Sequence, residues 1–161
     1  MTTTVRTAEE LARLHRLVSW HDVPLNLPSA ALAGEACVWC TSPADATAVE
    51  LEPSNPLPRR GCLLCYAARV AWYVSWYDWH GHFESCTHCQ QRKTCYIGHG
   101  RRLLHEQTIG PADRSKPKCA VCPALVLPTE LVAPLYWVGA THQIRLGYAH
   151  VRCLTEKARV R

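Results

Sequence analysis

All ten cysteines of this 161-residue chain, together with two histidines, can be divided into three sets of four metal ligands. Cys37-x2-Cys40 is followed by Cys62-x2-Cys65, Cys86-x2-Cys89 by Cys95, and Cys119-x2-Cys122 by His150-x2-Cys153. A C-x2-C knuckle presents two sulfurs about 2.3 Å from one ion, and four such ligands close a tetrahedral zinc site. The expected cofactor is therefore three zinc ions. Structural zinc contributes about 10–16 kcal/mol of apparent binding energy, which becomes folding energy. An Fe–S cluster is the minor alternative, since paired thiols suit it as well. An even cysteine count also permits disulfides, but in a reducing compartment paired cysteines serve metal instead.

The first and last sets are complete as they stand. The middle set has three thiols, Cys86, Cys89 and Cys95, and needs a fourth ligand. His82 gives H-x3-C-x2-C-x5-C, and His99 gives C-x2-C-x5-C-x3-H. His80 and His88 are weaker candidates. An open position holding water would be the catalytic alternative, but no nearby pattern supplies a general base. A nuclease on such a scaffold would need a second His/Asn/His constellation, which the chain does not offer, so the expectation is a non-enzymatic protein.

The elements that position these ligands are short. Thr7 to Val18 reads as an amphipathic helix, with Thr7 and Glu10 as a capping box and Leu11, Leu14, Leu17 and Val18 on one face. Pro24 and Pro28 break the pattern. The 21 residues between Cys40 and Cys62 hold four prolines and one strand candidate, Ala46 to Leu51. Tyr66 to Trp79 has no Gly or Pro and reads as a helix. It is aromatic nearly all round, with Trp72, Trp76 and Trp79 sharing a face. Those indoles serve either as the core of a chain with one Phe and one Met, or as a protein-binding surface. Cys95 to Gln107 reads as a short helix. Leu131 to Val138 and Thr141 to Tyr148 read as two strands around Gly139, and Val151 to Val160 as a terminal helix. The expected fold is a small zinc-stabilised α+β protein of tandem treble-clef-like zinc modules with an N-terminal amphipathic helix. Its expected segments are 1–34 (helix and Pro-containing linker), 35–108 (double zinc module around the aromatic helix) and 109–161 (a Cys-Cys-His-Cys zinc finger).

The net charge of +5 is unevenly placed. Residues 1–85 carry six Lys/Arg against nine Asp/Glu, and residues 86–161 carry twelve against four. A basic C-terminal half suits a polyanion or simply a solvated surface. The N-terminus lacks the apolar stretch of a signal peptide, and no segment is long enough to span a membrane, so the expectation is a cytoplasmic protein with no membrane partner.

Two resemblances follow from the quoted motifs. The stretch from Cys119-x2-Cys122 through Tyr148 to His150-x2-Cys153 resembles the zinc finger of poly(ADP-ribose) polymerases, which implies recognition of broken or distorted DNA. Pro123, just after the knuckle, departs from that pattern. Residues 37–105 are similar to small uncharacterised multi-C-x2-C zinc-binding proteins of Streptomyces and their plasmids, through Cys37, Cys40, Cys62, Cys65, His82, Cys86, Cys89, Cys95, Gly98 and Leu103. This resemblance implies His82 as the fourth ligand of the middle set and brings no activity with it. The Arg- and Ala-rich, Lys-poor composition suits a high-GC actinobacterial genome.

The leading functional expectation is a DNA-binding regulator, with nucleic acid as the partner. Arg101, Arg102, Lys116, Lys118, Arg145, Arg152, Lys157 and Arg159 would contact phosphates, and Tyr136, Trp137 or Tyr148 would stack on unpaired bases. The alternative is a protein–protein adaptor using Trp72, Trp76 and Trp79 on the aromatic helix together with the N-terminal helix. A redox or Fe–S sensor is the third class.

Overall fold

The structure, a computed structural model, describes residues 6–51, 59–93, 95–138 and 144–157. Six helices and two separate two-stranded antiparallel sheets give a small α+β fold among the described residues. The chain gathers into two compact units, Met1–Tyr73 and Val74–Arg161, and the division falls inside one long helix. No helix among the described residues is long and apolar enough to cross a membrane.

The first unit begins with α1 (Ala8–His21). Its start is the expected capping box: the Glu10 N–H donates to Thr7 Oγ1 at 3.2 Å, and the Thr7 N–H donates to Glu10 Oε2 at 2.8 Å. Leu14, Leu17 and Val18 are buried. Leu11 is exposed, one helix turn short of the buried stripe, so the apolar face is narrower than its sequence pattern implies. After the single turn α2 (Ser29–Leu32), the chain forms the Cys37–Cys40 knuckle and then a short hairpin of β1 (Val49–Glu50) and β2 (Arg60–Gly61). The hairpin pairs Val49 with Gly61 and Glu50 with Arg60. A small core of Ala31, Val38 and Leu51 is covered by Val23, Leu27, Trp39 and Tyr66. Gly61 is required there, because a Cβ would lie 2.1 Å from the Trp39 ring. That ring is fixed by its indole N–H on the Asp22 carbonyl at 2.8 Å and by the Arg69 guanidinium 4.4 Å above it.

Helix α3 (Leu63–Ser85) is the long aromatic helix and starts immediately after Cys62. Trp72, Trp76 and Trp79 are all buried. They are core, one of the two readings the sequence left for these indoles, and not the alternative contact surface.

The second unit continues from α3 into the turn α4 (Thr87–Gln90) and α5 (Tyr96–Gln107), whose N-cap is Cys95. β3 (Val132–Val138) and β4 (Ile144–His150) pair in register from Val132–His150 to Val138–Ile144, and α6 (Val151–Lys157) follows directly. The turn expected around Gly139 lies outside the described residues, as does the end of the terminal helix. The core here is Trp79, Cys119, Val126, Val132, Ala149 and Cys153, with Val121, Leu135, Tyr148 and Leu154 packed on it. Two candidate metal ligands, Cys119 and Cys153, thus belong to the core itself. Tyr148 stacks on Trp79 at 6.0 Å between ring centroids, and its hydroxyl lies 2.6 Å from Nε2 of the fully buried His105.

Candidate metal centres

The three ligand sets close into three clusters: Cys37, Cys40, Cys62 and Cys65; His82, Cys86, Cys89 and Cys95; and Cys119, Cys122, His150 and Cys153. Within each, the four ligand atoms all lie within 4.8 Å of one another. A tetrahedron with a 2.3 Å metal–sulfur bond puts its sulfurs about 3.8 Å apart. Cys40 and Cys62 are separated by 3.8 Å, as are Cys86 and Cys95. All ten cysteines are free thiols, so no disulfide competes for them. Each cluster could hold one metal ion.

In the first cluster a tight turn supplies the leading pair. The Cys37 N–H donates to the Ser42 carbonyl and the Thr41 N–H to the Cys37 carbonyl, with Thr41 in the left-handed region at φ 60°. The second pair comes from the end of the hairpin and the first turn of α3. Cys40 ionises more readily than Cys62 or Cys65, both of which are pushed up. Ser42, whose hydroxyl lies 3.4 Å away, holds it down at about 6. Burial, and then the neighbouring Cys62 and Cys40 sulfurs, push Cys65 far up. Four sulfurs this close share the negative charge unequally until a cation neutralises them.

In the middle cluster the imidazole gathered with the three thiols is that of His82. His82, in the last turn of α3, places Nε2 3.3 Å from Cys95 Sγ. His99 is exposed on α5 and stands outside the cluster. Burial, then the nearby Arg101, lower the His82 pKa and favour the neutral imidazole that a metal needs. Burial, then Cys86 and Cys95, push Cys89 up to about 12. Gly98 closes over this cluster, since a Cβ there would meet Cys89 Sγ at 3.0 Å and His82 Cδ2 at 3.3 Å.

The last cluster has the fullest supporting shell. Cys119 and Cys122 sit on a turn closed by the Cys119 N–H on the Ala124 carbonyl at 2.8 Å. His150 ends β4 and Cys153 lies in α6. Nδ1 of His150 faces Cys122 Sγ at 3.3 Å and Cys153 Sγ at 3.8 Å. Its other nitrogen, Nε2, faces Glu130 Oε2 at 3.0 Å. Glu130 also accepts the Leu127 N–H at 2.9 Å and pairs through Oε1 with Arg152 at 3.1 Å. The Leu127 N–H first, then His150 and Arg152, hold the Glu130 carboxyl below its usual range. At Cys119, burial is outweighed by the backbone N–H groups of Cys122, His150 and Val121, which bring the thiol down to about 6. Burial, then Cys122 and Cys119, raise Cys153 to about 11.

The expected phosphate contacts are distributed less simply. Lys116, Lys118 and Arg145 are exposed. Arg101 is exposed and donates to the Asp78 carbonyl. Arg152 is exposed but engaged by Glu130. Arg102 is only 3% exposed, and its guanidinium is occupied by Glu106 Oε1 and by the Leu127 and Glu130 carbonyls. A buried guanidinium with these partners is structural, which corrects its assignment as a phosphate contact. The Lys157 side chain and Arg159 lie outside the described residues.

Two supporting residues carried no sequence signal. Glu130 stands 20 positions before His150, and the relation appears only when the strands pair. Arg102 looked like half of a basic doublet. Compared with known proteins, the chain matches no family model, no curated protein and no solved structure.

Proposed function

We propose that this is a non-enzymatic zinc protein whose basic second unit binds nucleic acid, with DNA favoured. The observation that carries the reading is an exposed aromatic–cation pair. Trp137, 42% exposed near the end of β3, is the cross-strand partner of Arg145 on β4. Its ring lies over Gly147, where a Cβ would meet the indole at 2.7 Å. An exposed indole paired across the strands with an arginine suits base stacking and phosphate contact together. Tyr136, the next residue, points to the opposite face, towards Trp76 and His80; Lys116 and Lys118 add positive charge to the same unit.

The ligand chemistry supports structural zinc over catalysis. Each cluster supplies four protein ligands, the closed set of a structural site, and thiolate with imidazole is the donor set zinc prefers. The order knuckle, hairpin, helix recurs at the first cluster (Cys37–Cys40, β1–β2, α3) and the last (Cys119–Cys122, β3–β4, α6), and it supports treble-clef-like modules. On the resemblance of the last module to the poly(ADP-ribose) polymerase finger, the target would be broken or distorted DNA.

Fluorescence anisotropy with labelled single-stranded and duplex DNA across a salt series tests the reading. Binding that weakens steeply with salt and is lost in Trp137→Ala/Arg145→Glu supports it. No binding at low salt by the zinc-loaded chain overturns it. The second reading, a protein-binding adaptor, is favoured by Trp20, 67% exposed at the end of α1, and by the fully exposed Leu25. Its surface would lie on the first unit and not on the buried indoles of α3.

A further inference from the structure

The middle and last clusters are joined by a continuous chain of bonded residues inside the second unit. Cys95, a ligand of the middle cluster, is the N-cap of α5. Two turns later α5 presents Arg102, whose Nε bonds to Glu106 Oε1 on the same helix at 2.7 Å. The two terminal nitrogens of Arg102 reach across to the 127–130 turn. One donates to the Leu127 carbonyl at 2.7 Å and the other to the Glu130 carbonyl. That turn aims the Glu130 carboxylate at His150 Nε2, 3.0 Å away, and so turns Nδ1 of the ring towards Cys122 and Cys153.

We propose that Arg102 and Glu130 form a relay that makes metal occupancy at these two clusters mutually dependent. The proposal rests on metal filling both sites. An ion on Cys95 fixes the start of α5 and with it the position of Arg102. Arg102 then holds the turn whose carboxylate pre-orients His150. A ligand that is already oriented loses less freedom when it binds, and an outer carboxylate on a ligating histidine raises metal affinity. Because the linkage is thermodynamic, an ion at the last cluster must favour the middle one by the same factor. Arg102 and Glu130 are positioning residues, with neither among the ligand atoms of a cluster. Glu130 lies toward the surface, which leaves it open to substitution without opening the core.

The test is zinc-dependent protection of individual thiols from alkylation in the full chain, read by peptide mass spectrometry. Emptying the middle site with Cys86→Ser/Cys95→Ser should raise the zinc concentration needed to protect Cys119, Cys122 and Cys153 by about tenfold. In an Arg102→Met or Glu130→Gln background the same change should raise it by less than about twofold, because the relay is already cut. Glu130→Gln keeps the shape of the side chain and serves where Arg102→Met fails to fold. Conversely, Cys119→Ser/Cys122→Ser should weaken protection of Cys86 and Cys89. Zinc protection of the last cluster that is unchanged when the middle site is emptied overturns the relay while leaving the zinc reading intact. An equal change in all three backgrounds does the same. If zinc protects none of the ten cysteines, the metal reading falls and the relay with it.

Discussion

Glu130 lies 3.0 Å from the outer nitrogen of His150, while the inner nitrogen of that ring faces two cysteine sulfurs. The carboxylate fixes the tautomer, because it accepts the proton on Nε2 and leaves the Nδ1 lone pair for a metal. Glu130→Ala should therefore weaken zinc binding at the last cluster by about 10–100-fold while the first cluster holds its ion. Competition with a chromophoric chelator measures it, and an unchanged release curve counts against the role.

Zinc stoichiometry should be three per chain, one for each cluster. His82→Ala should lose one ion and His99→Ala none, because only the first places a ring nitrogen among the sulfurs. Native mass spectrometry with elemental analysis decides the count. Loss of an ion in His99→Ala would move the site onto α5.

Two glycines of α5 should answer oppositely to alanine. At Gly98 the new Cβ presses on Cys89 Sγ and the His82 ring, both of which a bound ion holds still. Gly98→Ala should lower thermal stability and loosen zinc at the middle cluster. At Gly100 a Cβ meets nothing within 4 Å, so Gly100→Ala should stabilise the helix by about 0.5–1 kcal/mol. Thermal melts of the zinc-loaded variants compare them directly.

Metal affinity should rise with pH, because zinc binds the thiolate and displaces its proton. At the last cluster Cys153 stands near 11 and Cys119 near 6 before metal arrives. From about pH 6 to 8 Cys153 must give up a proton to the incoming ion, so affinity rises at least about tenfold per pH unit. Below about 6, Cys119 is protonated as well and the dependence steepens by a second proton. Chelator competition across pH 5.5 to 8 reads the slope, and a flat profile contradicts the assignment of these thiols as ligands.

Trp76 and Trp137 should separate stability from recognition. Trp76 is fully buried, and Trp76→Ala should cost about 3–5 kcal/mol or prevent folding. Trp137 is substantially exposed. Trp137→Ala should leave the melting temperature nearly unchanged and weaken single-stranded DNA binding by about 1–3 kcal/mol. An equal loss of stability in both would argue that Trp137 is only a cover for Gly147.

Local spacing was enough to show two full candidate ligand sets and the three thiols of the third, because a knuckle places two sulfurs within a few residues and a cysteine has few other uses in such pairs. The Thr7 capping box and the helix beyond it, the long aromatic helix and the paired strands around Gly139 were legible for the same reason: their signals are short-range and periodic. Burial and partners at long separation were not. Arg102 and its neighbour Arg101 look identical along the chain, yet one is enclosed and bonded to the 127–130 turn while the other faces solvent. Trp72, Trp76 and Trp79 read as core or as surface from the sequence, and burial in the fold decides for core. From the spacing alone His82 and His99 stood at comparable distances from the thiols, and the turn between α3 and α5 brings only the first to the cluster. Glu130 acquires its relation to His150 from strand pairing across 20 residues. Each of these depends on which groups leave water together, a property of the folded arrangement that no single segment carries.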